Sequence, residues 1–145
     1  FKMSGEHEQY EAGNDKVIIE HKDWRICPMI CYDLRFPVWA RNAEDYDLLL
    51  YVANWPITRS EHWRTLLKAR AIENQSYVIG VNRCGNDGGF YYSGDTSVFD
   101  PFGLELYHVA NQVAVHTTEI SKKRVTEVRT QIPYLGDRDT FKVIV

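Results

Sequence analysis

The sequence predicts an α/β fold, and three observations carry that reading. Residues 47–54, "DLLLYVAN", form a near-continuous apolar run of the kind found in a parallel strand buried on both faces. The following segment, "TRSEHWRTLLKARAIENQ" at 58–75, sets Trp63, Leu66, Leu67, Ala71 and Ile72 at helical spacing, so the period switches from strand to helix. A second apolar run, "SYVIGVNRC" at 76–84, restores the strand and completes a strand, helix, strand order.

Upstream of this unit, "KVIIE" (16–20) and "RICPMIC" (25–31) flank a polar "HKD" and read as two adjacent strands in a hairpin. Pro28 argues against a central place for the second strand, because proline gives no N–H to a ladder. The polar "YDLR" interrupts the run after Cys31. Pro37 then suits the first position of a short helix, "PVWARNAEDY" at 37–46, where its missing N–H costs nothing. Ser60 is placed to cap the long helix at its N-terminus. Downstream, "GNDGG" (85–89) marks a loop, and "YYSGDTSVFDPFGLELYHV" (91–109) gives strand, "DPFG" turn and strand. "QVAVHTTEI" (112–120) supplies a further strand, and "SKKRVTEVRTQIP" (121–133) a surface helix ended by Pro133. The remainder is an irregular tail closing on the apolar "FKVIV". With no repeat and no dividing linker, residues 1–145 belong to a single domain.

Bulk properties narrow the function classes. At 44% hydrophobic and 26% charged, the chain sits among ordinary globular sequences, and its most apolar stretch is too short to cross a bilayer. The opening "FKMSGEHEQYEAGN" lacks the apolar core of a signal peptide, so the cytoplasm is the expected compartment. Seventeen basic against twenty acidic residues, unsegregated, remove the electrostatic warrant for nucleic acid or an anionic membrane. Cys27, Cys31 and Cys84 cannot all pair within one chain, and their spacing fits neither a disulfide framework nor a zinc site. They are expected as reduced thiols. The start on Phe1 rather than methionine suggests a processed or partial chain.

Cys31 is the leading chemical candidate. It falls where a strand gives way to a short connection, and carboxyl ends of strands are where α/β sheets present ligand-facing groups. A nucleophile on such a turn has backbone N–H groups beside it. Free cysteine is also among the most buried residue types, so nucleophile and core side chain both stand open at this stage. Cys27, four residues earlier on the same strand face, reads as packing, and Cys84 beside the glycine-rich segment as mostly structural. A nucleophilic thiol needs a base or a lowered pKa. Of the five histidines, His62 in the first turn of the long helix is best placed, with packing on Trp63 as its other reading. Glu6 and Glu8 read as solvated loop charges. Asp33 and Arg35 read as an ion pair fixing the turn, and Arg35 or Arg59 as a guanidinium fork for a substrate carboxylate.

Four ordered segments, "CYDLRFP" (31–37), "LLLYVANWP" (48–56), "HWRTLLKARAIENQSYVIGVNRCG" (62–85) and "GDTSVFDPFG" (94–103), resemble the carbon–nitrogen hydrolase (nitrilase) superfamily. They are most similar to its omega-amidase branch, which hydrolyses 2-oxoglutaramate and related monoamides of dicarboxylic acids. The resemblance implies a four-layer αββα sandwich, of which this chain supplies roughly the second half as the C-terminal portion of one domain. It also implies a homodimer and a Glu-Lys-Cys triad. Cys31 matches the nucleophile, the backbone N–H of Tyr32 an oxyanion contributor, and Glu6 a further acidic residue beside lysine and nucleophile. The triad glutamate and lysine have no match in these residues. Lys2 falls too late, because Phe1 corresponds to the aromatic that follows the family lysine. An N-terminal segment of the same protein is therefore expected to supply both, and that glutamate, not a histidine, is the expected base.

The expected function is cysteine-dependent release of ammonia from a small 2-oxo dicarboxylic acid monoamide through a thioester, without metal or organic cofactor. Arg59 in "NWPITRSEHW", with Trp55 and His62 beside it, is the expected substrate-binding group. The alternatives are another hydrolase of the superfamily (aliphatic amidase, N-carbamoyl amino acid hydrolase or nitrilase) or a non-catalytic relative presenting "EHWRTLLKARAIENQ" to a protein partner.

Overall fold

The computed structural model describes residues 5–11 and 13–142. Phe1, Lys2 and the last three residues of "FKVIV" lie outside the described residues.

The hairpin expected near the start forms from β1 (Ile19–His21) and β2 (Trp24–Ile30), antiparallel about Lys22 and Asp23. The first strand is shorter than 16–20 and lies closer to the turn. β2 then pairs in parallel with β3 (Leu48–Ala53), and β3 in parallel with β4 (Tyr77–Asn82). Pro28 does occupy an interior strand, against the expectation, and the register explains how. The Arg25 carbonyl accepts the Asp47 N–H at 2.8 Å, so odd-numbered residues of β2 hydrogen-bond towards β3. Pro28 therefore faces the β1 side, two residues past Ile26, where the β1 pairing has ended and no ladder bond is lost.

The short helix α1 (Pro37–Ala40) starts on Pro37 as expected but runs one turn rather than to residue 46. Asn42 ends it: its side chain accepts the Tyr46 N–H at 2.9 Å and donates to the Tyr46 carbonyl at 3.0 Å, an alternative to helical bonding. The long helix α2 (Ser60–Asn74) follows a 3-10 turn over Ile57–Arg59. Ser60 lies inside its first turn and makes no capping bond; Arg59 holds the cap position instead.

Two further expectations are corrected beyond β4. "GNDGG" is half strand: β5 (Cys84–Asp87) pairs with the start of β6 (Phe90–Phe99), and Gly88 and Gly89, at φ 55° and 80°, make the two-residue turn between them. Both positions need positive φ, which glycine adopts freely. The second half of β6 is flanked by β4 and by β7 (Glu105–Ala110), both antiparallel to it. Residues 112–120, expected as a strand, have no ladder partner among the described residues, and Val113 and Val115 are 90% and 100% exposed. Alternation gives a strand pattern, but a strand also needs a free edge in register. The surface helix α3 (Lys122–Gln131) forms as expected, ahead of Pro133.

The result is one seven-stranded mixed sheet with helices on both faces. On one face Cys27, Met29, Leu49, Tyr51 and Val78 pack against Trp63, Leu67 and Ala71 of α2. On the other, the cross-strand row Ile26, Leu48 and Tyr77 is covered by Val125 of α3 with Ile120. The parallel row nearer the carboxyl ends, Ile30, Val52 and Val81, is left 69%, 48% and 45% exposed.

Candidate active site

Cys31 begins a 3-10 turn, Cys31–Arg35, directly at the carboxyl end of β2. Its φ is 40°, in the left-handed region that a side chain with Cβ seldom adopts, so the surrounding structure must hold it. Two hydrogen bonds do so. The Asp33 carboxylate accepts the Ile30 N–H at 2.9 Å, closing the turn around the cysteine. From below, the buried Arg70 of α2 donates to the Leu34 carbonyl at 2.6 Å and pairs with Glu73 at 2.8 Å. Asp33 thus fixes the turn as expected, but through the backbone: Arg35 instead lies over the Trp55 ring, 4.6 Å from its centroid.

Cys31 opens into a cleft of about 1180 Å³, bounded by Glu6, Arg35, Asn54, Trp55 and Arg59 among others. The thiol is half-buried. Burial pushes its pKa above the ordinary value, the N–H of Asn54 on the sulfur pulls it down, the Glu6 and Asp33 carboxylates push it up, and the Arg59 guanidinium pulls it down. The balance is a raised pKa, so the thiol is protonated near neutrality and needs a base to become a nucleophile. By contrast Cys27 is fully buried in the core, with its thiol pushed up to about 11 by burial.

The expected residues divide cleanly by position. Cys31, Tyr32, Glu6, Trp55 and Arg59 line the cleft together, with Arg35 beside them. His62 does not: it lies exposed on the first turn of α2 and is not part of the cleft wall. Cys84 is also away from the cleft, paired in register with Ser93. Trp55 organises the loop, its indole N–H donating to the Arg59 carbonyl at 2.7 Å and its ring 5.5 Å from Trp63. Asn54 and Asn82 were not anticipated from sequence. The signal available was an asparagine at the carboxyl end of β3 and of β4, in "VANWP" and "VNRCG". Among the described residues no three His, Cys, Asp or Glu side chains gather as a metal cage, and no helix is long and apolar enough to cross a membrane.

Comparison with known proteins places the chain in a family. The family profile described as carbon–nitrogen hydrolase matches residues 4–130. The chain is 52% identical over 145 residues to omega-amidase YafV of Escherichia coli (strain K12), covering 99% of this chain and 57% of that protein. It is 34% identical over 139 residues to 2-oxoglutaramate amidase of Bacillus subtilis (strain 168), covering 94% of this chain and 54% of that protein. Among solved structures, XC1258 from Xanthomonas campestris, a CN-hydrolase superfamily protein with an arsenic adduct in its active site, superimposes with a TM-score of 0.95 at 45% identity. That match covers 99% of this chain and 57% of the other, and over this share the fold is that of the nitrilase-type αββα sandwich. The chain thus spans little more than half the length of these relatives.

Proposed function

Because this chain belongs to the carbon–nitrogen hydrolase family, we propose that the protein carrying it is a cysteine amidohydrolase acting on the terminal amide of a small 2-oxo dicarboxylic acid monoamide such as 2-oxoglutaramate. The observation that carries the reading is Cys31, held at φ 40° on the turn after a parallel strand and opening into a cleft with Arg59. A reacting sulfur on that turn stands beside the Tyr32 backbone N–H, which is our oxyanion donor. Arg59 is our receptor for the distal carboxylate, a fixed cation suited to bidentate pairing. Trp55 forms part of the wall against which the substrate packs, and Glu6 is the further carboxylate beside the reacting atoms.

The raised thiol pKa supports the need for a separate base. We assign that base, and a lysine ammonium completing the oxyanion site, to a segment preceding these residues, so that the chain is roughly the second half of the four-layer sandwich. The exposed row Ile30, Val52 and Val81 supports this, since an apolar sheet face at the rim of the cleft suits a covering layer. In the reaction the glutamate takes the thiol proton and Cys31 attacks the amide carbonyl. The tetrahedral oxyanion then collapses, ammonia leaves with a proton, and a thioester remains. Water activated by the same glutamate attacks the thioester, releasing the acid and restoring the thiol.

A homodimer belongs to the same reading, with Ile72, Phe102 and Leu104, 42%, 53% and 59% exposed, as an apolar patch available to a second copy. Three free cysteines suit a reducing compartment, and we place the protein in the cytoplasm. The test is ammonia release from 2-oxoglutaramate by the full-length protein, with Cys31→Ala expected to abolish it. Unimpaired turnover in that variant sinks the nucleophile assignment. Parallel assays with succinamate, glutamine, a nitrile and an N-carbamoyl amino acid separate the amidase from the other hydrolases of the family.

A further inference from the structure

Trp55 follows the last β3–β4 pair, Ala53 with Asn82, by two positions, where the chain leaves the sheet to form the cleft wall. The side chain of Asn82 holds its backbone there in place of a ladder. Its Oδ1 accepts the Trp55 N–H at 2.7 Å, and its Nδ2 donates to the Trp55 carbonyl at 2.9 Å and to the Gly94 carbonyl at 2.7 Å. Both amide donors and the carbonyl are therefore engaged. The indole is fixed as firmly. Trp55 is buried, its ring lies 5.5 Å from that of Trp63, and Trp63 is anchored by its own N–H, which donates to the Asp95 carbonyl at 2.9 Å. A buried indole needs a partner for its one donor, and here that partner is the Arg59 carbonyl at 2.7 Å.

Arg59 stands at the cap position of α2 with φ −132° and ψ 21°, outside helical geometry, and no side chain caps the helix there. Helical bonding alone therefore leaves the direction of its side chain open. Its N–H donates to the Pro56 carbonyl at 3.0 Å, which holds one side of the residue, and the Trp55 indole holds the other. Arg59 lines the cleft with Cys31, and among the described residues its guanidinium joins no ion pair, unlike those of Arg70 with Glu73 and Arg124 with Asp100. We propose that Trp55 is a positioning residue for substrate recognition: its indole N–H, held on a frame of Asn82 and Trp63, sets Arg59 so that the guanidinium meets the distal carboxylate of the substrate. This rests on the reading of Arg59 as the carboxylate receptor. An arginine without that anchor has to be ordered when substrate binds, and the ordering costs affinity. Phenylalanine keeps an aromatic ring at this place but has no N–H to supply.

The test is a double-mutant cycle on the KM for 2-oxoglutaramate in the full-length protein, built from Trp55→Phe and Arg59→Ala. Trp55→Phe is expected to raise KM about five-fold, the scale of one hydrogen bond, with a smaller fall in kcat. A fold defect instead lowers the active fraction, and so kcat, without moving KM. In the Arg59→Ala background the same substitution should move KM by less than about two-fold, because the group that Trp55 positions is gone. Effects of the altered ring on the cleft wall and on Arg35, 4.6 Å from its centroid, are present in both backgrounds and cancel. If Trp55→Phe does not fold, Asn82→Ser, which loosens the grip on the Trp55 backbone, is carried through the same cycle. An equal rise in KM in both backgrounds overturns the positioning role and leaves Arg59 as the receptor. If Arg59→Ala by itself leaves KM unchanged, the receptor reading fails and the positioning role falls with it.

Discussion

Cys27 within β2 and Cys31 just past its end are two thiols in different surroundings. Cys27 points into the packed face of the sheet and is fully buried, which pushes its pKa from 9.0 to about 11. A group with a raised folded pKa adds stability that is complete below its unfolded value and is lost as pH climbs through the folded one. Stability should therefore fall between about pH 9 and 11, with Cys27 accounting for roughly 2 kcal/mol of the loss. Tyr46 and Tyr51, raised above 10.0 chiefly by burial, act in the same direction. Urea unfolding at pH 8 and pH 10.5 checks this: Cys27→Ala should be less stable at both but should lose less between them. The sequence placed Cys31 correctly at a strand end, because an interrupted apolar run is a local signal. It could not expose Asn82, whose partner Trp55 is 27 positions away and is reached only through the parallel β3–β4 register.

At the scale of elements, α2 and β4 approach more closely than any alanine would allow. A Cβ added at Gly80 would overlap Leu67 and come within 2.8 Å of the Trp63 ring. Both side chains are fully buried and have no room to withdraw. Gly80→Ala should thus destabilise the protein by about 1–3 kcal/mol, read as a lowered denaturant midpoint with the m-value unchanged. Such contacts also divide what could be read from the sequence. The apolar run of β3 and the helical spacing of α2 announce themselves, because each is buried by its own pattern. The ends of elements follow from side-chain competition instead. Asn42 cut α1 to a single turn by bonding the Tyr46 backbone, and the pattern "GNDGG" concealed a hairpin because glycine signals a turn without saying how close the flanking strands run.

Across the whole molecule, the two sheet faces are finished to different degrees. α2 covers one throughout the core, whereas α3 covers only the row Ile26, Leu48 and Tyr77 on the other. The chain expressed alone should therefore bind an apolar dye such as ANS strongly and aggregate, whereas the full-length protein should bind little dye and associate no further than the proposed dimer. Replacing Ile30, Val52 and Val81 together by threonine should reduce dye binding and light scattering of the isolated chain; undiminished association would place the adhesive surface elsewhere. The α/β layout was legible from the sequence, but this asymmetry was not, since apolar residues at alternating positions do not reveal which neighbours cover them. One detail of β2 governs the form such association takes. Past its last pairing with β1, the two outward-facing ladder positions are Pro28, which has no N–H, and Ile30, whose N–H is held by Asp33. An incoming strand finds no donor there to pair with, so this border of the sheet resists edge-to-edge growth of the kind that seeds fibrils, and contacts between molecules are directed to the flat of the sheet.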